Sequence, residues 1–143
     1  MYELLVPVDL DERRALSQAQ WVASLPNAEE SVAATILFVF ESDTLEEIPE
    51  AVKQQTPSKQ FVDSVRTAFR YLDDRGIDVD VVDRRFEPAE TIWREAHGRG
   101  VQTIVLGGRK QSPVGEHAFG SVTQQLMLKS DIPVVVTGSP DSR

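Results

Sequence analysis

Residues 33 to 40 read Ala-Ala-Thr-Ile-Leu-Phe-Val-Phe, a run that stays apolar at successive positions instead of alternating with polar ones. Successive side chains of a strand point to opposite faces, so such a segment needs cover on both sides, as in a parallel sheet with helices above and below it. Leu4 to Val8 and Thr103 to Leu106 have the same character, and Ile132 to Thr137 closes the series. The run from Ile77 to Val82 differs, because it alternates apolar residues with aspartate. That pattern suits an outer strand with one wet face.

Four helical patterns separate the five runs. Asp11 is placed to cap a helix in which Ala15, Ala19 and Val22, with Leu16 and Leu25 beside them, recur at helical spacing until Pro26-Asn27. Thr56-Pro57 opens a second, with Phe61, Val65, Ala68, Phe69 and Leu72 in one stripe and Gly76 at its end. Pro88 starts a third, with Ala89, Ile92, Trp93 and Ala96 inward and Gly98 or Gly100 closing it, and the fourth runs from about Ser121 to Lys129. Glu41 to Gln55 is acidic, broken by Pro49, and reads as a connection; the tail from Gly138 should fray. Strict alternation of strand and helix predicts an α/β fold, an open, Rossmann-like, five-stranded parallel sheet with right-handed crossovers and helices on both faces, for which the order 3-2-1-4-5 is expected. With 143 residues and 41% hydrophobic composition, one domain over residues 1–143 is expected.

Ligands of such a sheet bind beyond the carboxyl ends of its strands, where strand order reverses. Asp9 after strand one, Val39 near the end of strand two and Gly107 after strand four should meet there. Gly107-Gly108 reads as a turn whose backbone takes conformations that a side chain would forbid. Ser121, with Gln124 three residues on, reads as the N-cap of a helix whose free N–H groups and positive dipole face the loop, a place that phosphate fits. Plainer readings stand beside these. Asp9 can be only a turn or cap acid, Ser121 only a cap, and Arg109 a solvated surface charge. His97, near Trp93, reads as structural, and Glu116-His117 is too short a signal for a metal site.

The spacing of this stretch resembles the nucleotide-binding signature of the universal stress protein family, which runs Gly, two residues, Gly, nine residues, Gly, then Ser or Thr. Gly107, Gly120 and Ser121 match it, and Lys110 stands at the second glycine. The opening Val-Pro-Val-Asp, the Phe-Val of strand two, the Pro88 helix and the closing Pro-Val-Val-Val resemble the family too, so the likeness covers nearly the whole chain; Phe86 stands where the family often has glycine. The resemblance implies the adenine nucleotide alpha hydrolase-like form of the fold and binding of ATP, or of AMP or ADP, with magnesium arriving on the phosphates. It implies that Asp9 holds the base, with Pro7 and Val8 among the binding residues, and that the backbone near Val39 and Leu106 lines the adenine. The phosphates would fall to Gly107, Arg109, Lys110, Gly120, Ser121, Val122 and Thr123. It also implies a homodimer paired through the last strand, Val134, Val135 and Val136, whose edge would otherwise leave backbone groups unpaired.

Other functions find less support. No Gly-x-x-x-x-Gly-Lys-Ser/Thr and no Gly-x-Gly-x-x-Gly occurs, which argues against a Walker kinase or a dinucleotide oxidoreductase. There is no cysteine for a thiolate nucleophile, and both histidines lie in the second half of the chain, away from the strand where a nucleotidyl transferase would carry its phosphate motif. A net charge of -8 disfavours a nucleic-acid surface. No apolar run approaches roughly 18 residues and no charged-then-apolar leader opens the chain, so neither a membrane span nor secretion is expected, and a cytoplasmic location is. Four Lys and eleven Arg against 23 acids fit a salt-rich cytoplasm, where screening tolerates such self-repulsion, or else an ordinary acidic protein. The chain thus reads as a nucleotide-binding regulatory protein of the universal stress type, with little or no turnover and not an efficient enzyme. The alternative is a dimeric interaction module of the same family that binds no nucleotide.

Overall fold

The computed structural model describes residues 1–40, 62–85, 87–108 and 120–138. In the middle of its five-stranded parallel sheet lies β1 (Tyr2–Val8), where Leu4, Leu5 and Val6 have no exposure to solvent. On one side of it run β2 (Val32–Phe40) and then β3 (Asp78–Arg85); on the other run β4 (Thr103–Gly107) and then β5 (Val134–Thr137). This is the expected order, 3-2-1-4-5. It places the aspartate-bearing strand at an edge, where its wet face costs nothing.

The two faces of β1 divide the core. Leu4, Val6 and Val8 pack with Ala15, Ala19 and Val22 of α1 (Glu12–Ala23) and with Val65, Ala68 and Leu72 of α3 (Asp63–Asp74). Leu5 points the other way, into a cluster with Ile92 and Ala96 of α4 (Pro88–Arg99) and Leu126 of α5 (Ser121–Lys129). None of the helices among the described residues is long and apolar enough to cross a membrane.

Several boundaries depart from the periodicity, each for a local reason. A short helix, α2 (Ala28–Ser31), leads directly into β2; Asn27 at its start takes a left-handed conformation (φ 55°), which asparagine tolerates. Among the described residues, the helix carrying Val65, Ala68 and Leu72 runs from Asp63 to Asp74, after an extended Val62. Thr56, Pro57, Phe61, the connection from Glu41 to Gln55, Phe86 and the tail after Gly138 lie outside the described residues. β5 starts at Val134 because the Ser130 hydroxyl turns the chain just before it, donating to the Ile132 carbonyl (2.9 Å) and accepting from the Ile132 N–H (3.0 Å). In α4, Glu87 accepts from the Glu90 N–H (2.7 Å), Pro88 occupies the first turn, and Gly100 at φ 67° ends the helix, with Gly98 inside it. Trp93 is only half-buried; its ring lies 4.2 Å from that of His97, which reaches Asp131 at 2.9 Å. His97 therefore ties α4 to the turn before β5.

One carboxylate joins α4 to the sheet. Glu95, with its side chain 13% exposed, accepts from Arg84 of β3 (3.0 Å) and from Arg99 one helical turn on (2.6 Å). Burial alone pushes its carboxyl up, but the Arg99 and Arg84 guanidiniums outweigh this and hold it below the usual glutamate value of 4.5. A carboxyl depressed in the folded state contributes stability above its unfolded value and loses it as pH falls through the folded one. Wild type should therefore exceed Glu95→Gln in stability at neutral pH, and the gap should shrink as pH drops below 4.5. Urea-unfolding midpoints across that window check this; a gap indifferent to pH would refute it.

Candidate functional site

The β1–β2 ladder runs the full length of β1, from Tyr2 opposite Val32 to Val8 opposite Phe38, whereas the β1–β4 ladder pairs only Leu4 with Thr103 and Leu5 with Ile104. Beyond that point the two central strands part. Their separation opens the crevice expected where strand order reverses, and it leaves backbone groups inside the core that no ladder satisfies. Gln18 of α1 fills that role: its buried amide donates to the Pro7 carbonyl (2.6 Å) and to the Val105 carbonyl (2.9 Å). The N–H and C=O of a strand residue lie on the same edge, so the missing donor of Pro7 faces this gap as well. A proline is thus tolerated in a central strand because the ladder on that side has already ended.

Above Gln18 lies Arg14, one turn earlier on the same helix face. Its Nε donates to the Gly108 carbonyl (3.1 Å), its Nη1 to Asp9 Oδ2 (2.5 Å), and its Nη2 lies 3.4 Å from Asp11 Oδ2. The stem of Arg14 crosses directly over Gly107, where an added Cβ would overlap its Cγ and Cδ and come within 3.1 Å of Gln18 Oε1. At Gly108 an added Cβ would collide with the Thr137 carbonyl. Neither glycine has positive φ, which among the described glycines belongs to Gly76 and Gly100. The expectation of a side-chain-forbidden backbone at Gly107-Gly108 is therefore corrected: these positions need glycine because Arg14 and β5 approach them so closely.

Asp9 is held three ways. Its carbonyl accepts from the buried Ser64 hydroxyl at the start of α3 (2.5 Å), its Oδ1 from the Asp11 N–H (2.9 Å), and its Oδ2 from Arg14, while 58% of the side chain stays exposed. Across the crevice, α5 begins with Gly120 as its N-cap, extended at φ -75° and ψ 170°, and no side chain caps it. Ser121 is the first helical residue and not the cap that its spacing to Gln124 suggests. The first-turn N–H groups of α5 thereby stay open to an anion.

These residues enclose a cleft of about 270 Å³, near the low end of small-molecule pockets. Pro7, Val8, Asp9, Val39, Leu106, Gly107, Gly120, Ser121, Val122 and Thr123 all line it; Arg109, Lys110 and His117 lie outside the described residues. Val8, Val39, Leu106 and Val122, joined by Ile92, make an apolar slot, and Asp9, Arg14 and the start of α5 make a polar end. The arrangement suits a flat apolar group carrying an anion. Arg14, Gln18, Pro88 and Ile92 also line the cleft and escape sequence reasoning. The signal was present for two of them, since Arg14 and Gln18 are four residues apart and Gln18 falls on the inward stripe with Ala15, Ala19 and Val22. Among the described residues no group of three or more His, Asp or Glu is gathered that could hold a metal ion.

Comparison with known proteins adds to this geometry. A model of the universal stress protein family matches residues 1–138. A stretch of 59 residues, 41% of the chain, is 39% identical to the stress response protein NhaX of Bacillus subtilis (strain 168), and spans 34% of that relative's length. Among solved structures, the hypothetical protein MJ0577 superposes with a TM-score of 0.73 at 23% identity, over 99% of this chain and 98% of its own. The universal stress protein of Archaeoglobus fulgidus in complex with dAMP gives 0.59 at 17% identity, over 96% of this chain and 98% of its own. A family protein of Arabidopsis thaliana with AMP bound gives 0.65 at 12% identity, over 97% and 92%. These structural likenesses establish the α/β fold.

Gln18→Leu should leave the Pro7 and Val105 carbonyls buried without their donor and destabilise the protein by about 1–3 kcal/mol. Chemical denaturation measures this directly. A variant as stable as wild type would show that the strand ends do not depend on the amide.

Proposed function

The chain belongs to the universal stress protein family, and we propose that it binds an adenine nucleotide in the cleft between β1 and β4, as a regulatory protein with little or no turnover. The observation that carries this reading is convergence. An apolar slot, a strand-end carboxylate and an uncapped helix start, drawn from distant parts of the sequence, border one cleft. The slot offers Val8, Val39, Leu106 and Val122 to a purine, Asp9 offers acceptors to its amino group or to ribose hydroxyls, and the start of α5 with Ser121 and Thr123 offers donors to phosphate. The dAMP and AMP bound by two proteins of like fold support that choice of ligand. Lys110 stands at the second glycine of the family pattern, and its ammonium can add a charge-assisted hydrogen bond of roughly 1.5–3 kcal/mol to a phosphate oxygen. A divalent ion would arrive with the phosphates of ATP or ADP.

The same reading includes a homodimer. β5 is an edge strand whose Val134, Val135 and Val136 are only half-buried, and the preceding α5 leaves Met127 and Leu128 exposed. Antiparallel pairing of two such edges would satisfy the unpaired backbone groups and close the assembly.

Calorimetric titration of ATP with magnesium should show binding to wild type, weakened about tenfold or more in Asp9→Ala through loss of a charge-assisted hydrogen bond. Lys110→Gly, which gives up the lysine ammonium, should bind about tenfold or more weakly while remaining measurable at millimolar ATP. Absence of binding at millimolar ATP in both wild type and Lys110→Gly would replace this reading with the nucleotide-free interaction module. Sedimentation should give twice the 15.9 kDa chain mass at micromolar concentration in low and high salt; a monomer in both would exclude the dimer.

A further inference from the structure

We propose that Arg14 is a positioning residue for this site: it fixes the Asp9 carboxylate as an acceptor aimed into the cleft and does not itself serve the anion. The inference rests on the adenine-nucleotide reading and deepens it. Like Gln18, Arg14 reaches both walls, from Asp9 after β1 to Gly108 after β4, but of the two it is the one that holds a carboxylate. Each of its three guanidinium nitrogens has a partner: Nε the Gly108 carbonyl, Nη1 Asp9, and Nη2 Asp11. Its stem is locked as well, since it lies against Gly107 so closely that a methyl group there would overlap it.

Charge decides between a phosphate contact and a positioning role. One guanidinium faces two carboxylates, Asp9 and Asp11, so these three side chains together carry a net negative charge and the positive charge of Arg14 is already matched. Among the described residues, the start of α5 is better placed to take the anion. At Asp9 the bookkeeping runs the other way: each carboxylate oxygen can accept about two hydrogen bonds, and Oδ1 and Oδ2 have one each from the Asp11 N–H and Arg14. One acceptor site per oxygen remains, in an orientation set by Arg14, for donors on the ligand. Adenine amino and ribose hydroxyl groups are such donors. The link to Gly108 holds the guanidinium itself in register with the loop-bearing wall.

A double-mutant cycle tests this. Affinities for ATP with magnesium and for AMP are measured for wild type, Arg14→Met, Asp9→Asn and the double variant. Arg14→Met should weaken ATP about fivefold or more in the wild-type background but less than about twofold beside Asp9→Asn, a coupling typical of residues that act through contact. The ratio of ATP to AMP affinity should stay constant in Arg14→Met, which it would not if the arginine served the outer phosphates, while the coupling to Asp9 is the readout that mere destabilisation would not produce. An equal loss in both backgrounds, a loss confined to ATP, or tighter binding without the arginine would each overturn the proposal, the last by showing that Arg14 obstructs the cleft. Crystal structures of nucleotide-free wild type and Arg14→Met keep this separate from the ligand reading. If wild type binds neither nucleotide, the ligand reading fails, and Arg14 is still judged by whether Asp9 loses its orientation in Arg14→Met; a carboxylate that stays in place overturns the positioning role.

Discussion

The divergence of β1 from β4 after Leu5 is the constraint on which the rest of the structure depends. Two parallel strands that stay paired leave no room for a ligand between their ends, and two that separate expose backbone groups in a core where water is excluded. The Gln18 amide resolves the conflict by donating to the carbonyls of Pro7 and Val105 across the gap. A buried side-chain amide costs little when it is hydrogen-bonded and a good deal when it is not. The same residue that stabilises the sheet thus holds the crevice open.

The helices follow from that arrangement. α1 must lie over the gap to deliver Gln18, and its next turn toward the N-terminus then brings Arg14 across Gly107 to Gly108. α3 is drawn to the same corner by Ser64, which donates to the Asp9 carbonyl, and by Thr67, which donates to Glu12 at the start of α1 (2.5 Å). On the opposite face α4 contributes Ile92 to the cleft and α5 contributes its open N-terminus. Asp9 therefore has its backbone held by one helix and its side chain by another, a degree of fixation unusual for a residue more than half exposed.

Functional geometry and packing share residues throughout. Gly107 and Gly108 give way to Arg14 and to β5, and this close approach brings the loop-bearing wall against the arginine that holds Asp9. Gly120 caps α5 without a side chain, which leaves helix N–H groups open where a serine cap would have used one of them. In each case a residue that looks like a turn element has its reason in what lies beside it.

Much of this was determined by the sequence alone. Unbroken apolar runs at Leu4 to Val8 and Ala33 to Phe40 demand cover on two faces and the aspartates of β3 demand an edge, so the parallel sheet and the meeting of Asp9, Val39 and Gly107 at one crevice were legible from periodicity. Pro7, Val8, Leu106, Val122 and Thr123 followed from the resemblance to the universal stress protein family. Tertiary structure alone decided that Gln18 and Arg14 belong to the site, and that Gly107 and Gly108 are glycines for reasons of space. The physical reason is range. Periodicity and capping are set by neighbours within a turn or two of the chain, whereas Val105 on β4 and Gly108 just after it, the partners of Gln18 and Arg14, lie 87 and 94 residues away and meet them only once the sheet is formed.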